Sequence, residues 1–133
     1  LPGMFEMSVA LGRESMAVGK ALGYELEPVF GLGAEEFSEA SDEVLIKAME
    51  TLMAHVGKEG VTAAIHDHIK GRQSEMSLVS GLVARAGEKF GIPVICNAAV
   101  TEIDRRINEG EIPMDPSNFG LLKSMVDSIP NRL

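Results

Sequence analysis

The chain has 133 residues, enough for one domain with a proper core and too few for two comfortable ones. Twelve basic residues against twenty acidic ones give a formal charge of −8, which argues against the positive footprint of a nucleic-acid binder. No run of about 18 apolar residues is present, nor a basic N-terminal segment leading into an apolar one, so neither a membrane span nor a signal peptide is expected. The single cysteine, Cys96, cannot form an internal disulfide, which suits a reducing cytoplasm. The first residue is Leu1 rather than Met, leaving open a processed end or a segment of a longer chain.

Helical periodicity dominates from the start. Met7, Leu11, Val18 and Leu22 lie near one face of a first helix, which Gly23 can terminate in a left-handed cap. Residues 24 to 40 read as a connection with one short helical turn. The stretch SDEVLIKAMETLMAHVG is the clearest helix: Ser41 caps it, Asp42 and Glu43 favour its positive end, and Gly57 stops it. Val44, Leu45, Ala48, Met49, Leu52, Met53 and Val56 form its wide apolar stripe.

A short helix follows from Thr62 as cap to Ile69, ending at Gly71. The next runs from Ser74 to Phe90 and stops at Gly91-Ile92-Pro93, where glycine and proline forbid continuation. Asn97 caps another, with Val100, Ile103 and Ile107 inward and Gly110 closing it; a last helix starts near Pro116 and runs to Ser128. No alternating β pattern competes, so residues 1–133 are expected to form a single all-α domain. Eight methionines and six aromatic residues point to a core of aliphatic and thioether side chains.

Several short motifs invite chemistry and fail on physics. GLGAEEFSE, residues 31 to 39, resembles the opening of a dinucleotide loop, but it lacks the third glycine and a preceding strand. Its Glu35, Glu36 and Glu39 would also repel a pyrophosphate. His66 and His68 sit two apart, which on a helix turns them about 200° from each other, so they cannot share an ion, and ordinary surface histidines are expected. His55 adds no ligand spacing, and no metal site is expected. Cys96 reads as a small buried thiol. Gly81, Ala84 and Gly87 read as a face for close packing against a neighbouring helix.

One residue resists the bland account. Val79, Leu82, Val83, Ala86 and Phe90 make a one-face stripe, and extending it backwards by a turn lands on Glu75, with Arg72 one turn earlier. An unpaired carboxylate drawn into a core costs several kcal/mol, more than the roughly 0.3–1 kcal/mol that a helix start returns. Glu75 is therefore either at a solvent-bathed rim or in a cleft that supplies partners.

The stretch HDHIKGRQSEMSLVSGLVARAGEKFGIPVICNAAV, His66 to Val100, bears on that choice. It resembles the C-terminal signature of the ketopantoate reductase (2-dehydropantoate 2-reductase) family. There D-x-x-x-G-R-x-T/S-E precedes a helix ending in G-I-P and then an Asn that opens the next helix. Asp67, Gly71, Arg72, Ser74, Glu75, Gly81, Gly91, Ile92, Pro93 and Asn97 match in register. The likeness is looser from residue 7 to 65 and fades beyond Asn108.

The resemblance implies an all-α C-terminal domain of the 6-phosphogluconate dehydrogenase type, in a cytoplasmic enzyme of pantothenate biosynthesis. An N-terminal Rossmann domain would bind NADPH, and a 2-oxo acid would take a hydride in the cleft between the two. By position Glu75 becomes the cleft glutamate that hydrogen-bonds substrate or cofactor, and Arg72 a brace for the loop. Where the family often carries a Ser pair, twelve to thirteen residues before the glutamate, this chain has Thr62 and Ala63, making Thr62 a weaker candidate for the substrate wall. Ser77 stands for the family's Asp, and Ser80-Gly81 for its Asn-Gly, so the substrate stays open.

No strand followed by G-x-G-x-x-G occurs, nor the family's K-x-x-x-N lysine. The isolated chain is therefore expected to bind no cofactor and to be inert. A homodimer built on the Met-rich face is expected, and a non-catalytic helical dimerisation or interaction module is the alternative function. A metal-binding protein using His55, His66 and His68 is a weaker one.

Overall fold

The first helix, α1 (Met4–Ala21), ends as glycine dictates. Gly23 adopts φ +82°, and the amides of Gly23 and Tyr24 bond back to the carbonyls of Lys20 and Gly19, both at 3.0 Å. The computed structural model describes residues 1–28, 31–57, 60 and 62–129. Its elements are α1, α2 (Ala34–Glu39), α3 (Asp42–Val56), α4 (Ala63–Ile69), a 3-10 turn (Met76–Leu78), α5 (Ser80–Phe90), α6 (Ile95–Asn108) and α7 (Asn118–Asp127). The fold is all-α, as expected. The chain forms two compact units, residues 1–60 and 61–133.

In the first unit α1 packs on α3. Val9, Val18 and Leu45 are buried, Met7 and Leu11 are half-buried, and Leu22 is exposed. Arg13 ties the unit together: its guanidinium donates to the Ser38 carbonyl at 3.1 Å, the Ala40 carbonyl at 2.6 Å and Asp42 Oδ1 at 2.8 Å. These bonds pin the connection that leads into α3, which Ser41 caps by accepting from the Val44 amide at 3.4 Å. Of the wide apolar stripe of α3 only Leu45 is fully buried; Ala48 and Met49 are half-buried, and Val44, Leu52, Met53 and Val56 are exposed.

In the second unit α5 packs on α6, and α6 on α7. The contact face of α5 is its small-residue side. A Cβ at Gly87 would stand 2.3 Å from Val94 Cγ1 and 3.1 Å from the Ile92 carbonyl oxygen, so only glycine lets the chain after α5 approach this closely. The large residues of α5 point the other way: Val79, Leu82 and Phe90 are exposed, with Leu78 beside them. The core is correspondingly made of small groups, namely Val94, Cys96, Ala99 and Ile103 beside the polar Ser74, Ser80, Asn97 and Asp104. Cys96 is the buried thiol expected, whereas no methionine is fully buried among the described residues.

Two helix starts differ from expectation. The helix read from Ser74 begins only at Ser80, because Val79 (φ −106°, ψ −86°) breaks the path and the preceding residues form a 3-10 turn. The helix read from Asn97 begins at Ile95, leaving Asn97 buried in its first turn rather than capping it.

Candidate functional site

The segment from Gly71 to Leu78 carries the candidate carboxylate. It begins where α4 stops: Gly71 turns the chain at φ +69°, and the amides of Gly71 and Arg72 close on the carbonyls of His68 (3.0 Å) and Asp67 (2.8 Å). The Arg72 guanidinium then reaches back to Asp67 Oδ1 at 2.9 Å. Arg72 is thus occupied in bracing the loop, in line with expectation.

Ser74 is the anchor of this segment, and it is held from α6. Its amide donates to Asn108 Oδ1 at 3.1 Å, and its hydroxyl donates to Asp104 Oδ1 at 2.5 Å. The Ser74 hydroxyl oxygen also accepts from the Met76 amide at 3.3 Å, a local bond that competes with a helix start and favours the 3-10 turn. Asp104 is the hub: besides Ser74 it meets His68 Nε2 at 2.9 Å and accepts from Asn108 Nδ2 at 2.9 Å. Three separate stretches of chain converge on one carboxylate that is only 7 % exposed.

The expectation of an inward Glu75 is corrected by this arrangement. Glu75 lies outside α5 and is exposed, while its neighbour Ser74 takes the buried place. Periodicity assigned the phase of a helix that had not yet begun. A groove of about 490 Å³ runs along α5 and α6, lined by Gln73, Ser77, Gly81, Arg85, Thr101 and Arg105 among others; Glu75 itself is not part of that lining. Gln73 and Ser77 flank Glu75, and Arg85 donates to the Ser77 carbonyl at 3.1 Å. Thr62 caps α4 without a side-chain bond and is exposed.

The histidine pair separates as helical geometry requires. His66 is exposed, whereas His68 points to Asp104 with its side chain 8 % exposed, so it is a buried network member and not the surface residue expected. His55 lies on α3, its Nδ1 2.7 Å from the Thr51 carbonyl. Among the described residues no three His, Cys, Asp or Glu side chains gather as a metal would need.

The hub at Asp104 escaped the sequence reading. Two of its three partners are 30 and 36 residues away, beyond the reach of periodicity. A signal was present all the same: Asn97, Asp104 and Asn108 are spaced by seven and four, a polar stripe along the inner side of α6 next to Ile103 and Ile107.

A second ionic group occupies the exposed side of α6. Arg105 binds Glu102 at 2.9 Å, Glu111 at 2.9 Å and Glu109, and Arg106 binds Glu102 at 2.7 Å. Hydrogen bonds from Arg105 and then Arg106 hold the Glu102 carboxyl down to about 2. Glu111 is lowered by its bond to Arg105, and Arg105 is raised in turn by Glu102 and Glu111. A cavity of about 890 Å³ in the first unit is lined by Arg13, Lys20, Tyr24, Glu25, Glu35 and Glu39 among others, and holds none of the candidate residues.

The family model described as ketopantoate reductase PanE/ApbA C terminal matches residues 2–108. The chain belongs to this family, as a helical C-terminal domain of the reductase type. The match ends with α6 and takes in all of the Gly71–Leu78 segment and its partners on α4 and α6. No curated protein and no solved structure matches the chain. Among the described residues no helix is long and apolar enough to cross a membrane.

Proposed function

We propose that this chain is the substrate-side half of a cytoplasmic, NADPH-dependent oxidoreductase that reduces a 2-oxo acid, 2-dehydropantoate or a close relative. The observation that carries the proposal is the family match running through Gly71, Arg72, Ser74 and Glu75, with Glu75 presented to solvent between two residues that line a groove, Gln73 and Ser77. Glu75 is the residue that meets the substrate, accepting a hydrogen bond of fixed direction from a hydroxyl, and Thr62 is the weaker candidate for the wall.

The glycine-rich turn before α2 does not fit a dinucleotide's phosphates. In the glycine-rich turn before α2, the Gly33 amide already donates to Glu36 Oε2 at 3.0 Å, in the place a phosphate would need, and Glu35 and Glu39 add like charge. A nucleotide-binding domain must therefore supply NADPH. The exposed apolar residues Leu78, Val79, Leu82 and Phe90 offer that domain a surface to cover.

The same exposed face favours a second reading, a helical module that pairs with its own copy and does no chemistry. Expressing the full-length gene product, offering it a panel of 2-oxo acids and following nicotinamide absorbance separates the two. Substrate-dependent loss of NADPH is the expected result. No turnover with any 2-oxo acid and either nicotinamide, together with a stable dimer on sedimentation, overturns the enzyme and leaves the module.

A further inference from the structure

We infer that Ser74 and Asp104 are positioning residues that fix the backbone from which Glu75 projects. The use to which Glu75 is put rests on the functional reading above, whereas the fixing of its segment rests on geometry alone. From Gly71 to Val79, Ser74 is the one residue that is fully buried; Glu75, Ser77, Leu78 and Val79 are exposed and Met76 is half-buried. The segment has no α-helical ladder of its own; its first residues close on α4, its 3-10 turn rests on α5 and α6 with Arg85 bonded to the Ser77 carbonyl, and the bonds at Ser74 are its one buried hold between them.

Those bonds are directional and doubled. The Ser74 amide and hydroxyl both reach α6, at 3.1 Å to Asn108 and 2.5 Å to Asp104, so the Gln73–Ser74 peptide and the Ser74 side chain are both tied to that helix immediately before Glu75. Asp104 is fixed in turn by Asn108 Nδ2 and His68 Nε2, each at 2.9 Å, which also ties the end of α4 to the same point. Immediately downstream, the Glu75 carbonyl accepts from the Leu78 amide at 2.8 Å and starts the 3-10 turn. The backbone of Glu75 thus stands one residue from a buried anchor, which sets the point from which its side chain projects.

The test uses the full-length gene product in five forms: parent, Ser74→Ala, Ser74→Thr, Asp104→Asn and Glu75→Ala. Thr keeps the hydroxyl that Ala removes, and Asn keeps the shape of Asp104 while turning one acceptor into a donor. Hydrogen exchange over residues 72–78 is expected to quicken about tenfold or more in Ser74→Ala and Asp104→Asn, and to stay parental in Ser74→Thr. Turnover of the 2-oxo acid falls about tenfold in the same two forms with KM nearly unchanged, and Ser74→Thr restores it.

Parental exchange in Ser74→Ala overturns the inference whatever the kinetics. Faster exchange with undiminished turnover overturns it too, provided Glu75→Ala does lower turnover. Undiminished turnover in Glu75→Ala instead ends the functional reading, and the exchange rates still decide whether Ser74 fixes the segment. Should Ser74→Ala fail to fold, Asp104→Asn carries the same comparison.

Discussion

Asp104 and Arg105 are neighbours on α6, and each is the centre of an ionic network, yet the two networks do different things. Asp104 is almost wholly buried and, besides Asn108 on its own helix, joins α4 and the Glu75 segment to α6 through partners 36 and 30 residues away. Arg105, its side chain 42 % exposed, gathers Glu102, Glu109 and Glu111 from its own helix and the turn that follows. Water can replace any partner of Arg105 at little cost, and salt screens what is left. Nothing replaces a partner of Asp104, because taking one away strands a polar group in a dry site. Burial and the sequence distance of the partners, rather than the number of ion pairs, decide which network shapes the molecule.

The contrast breaks most visibly at the hub. Asp104→Ala leaves the Ser74 hydroxyl, His68 and the Asn108 amide without their acceptor, and chemical denaturation should register a loss of about 3–5 kcal/mol. Gly87→Ala comes next: the new methyl collides with Val94 and the Ile92 carbonyl, and about 1–3 kcal/mol should go despite alanine's helical preference. At Gly81 the same change meets the movable tip of Arg85 at 3.1 Å, so its melting temperature should stay close to the parent's. Arg105→Ala should lower the urea midpoint only slightly, since its network is exposed.

The smallest effect is a pH dependence, and its sign is fixed. Arg105 and then Arg106 hold Glu102 down to about 2 in the folded chain, below its ordinary 4.5. The unfolded chain therefore takes up that proton more readily, and the stabilisation from Glu102 is complete above about 4.5 and fades as the pH falls toward 2. Urea midpoints measured across that window should fall less steeply for Glu102→Gln than for the parent. Identical slopes would mean that the arginines do not hold the carboxylate.

The same division governs what could be read from the sequence. Helix ends were readable wherever one residue does the work locally, as Ser41, Gly71 and Gly91 do. The match from Asp67 to Asn97 likewise led to the family. The start of α5 was misread because apolar spacing continues smoothly through Val79, although the backbone breaks there to keep Ser74 on α6. The buried side of α5 was misjudged for a related reason. Periodicity finds a face of Val79, Leu82 and Phe90, but which face is covered depends on how close the chain after α5 can come, and Gly87 decides that. His68 was misplaced because its partner lies 36 residues away.

The central claim is that Glu75 serves the substrate of a reductase, and turnover is where it meets its test. Glu75→Ala in the full-length gene product, assayed with NADPH and the best 2-oxo acid, should lower kcat tenfold or more while the circular dichroism spectrum and unfolding midpoint stay parental. A kcat equal to the parent's would contradict the account.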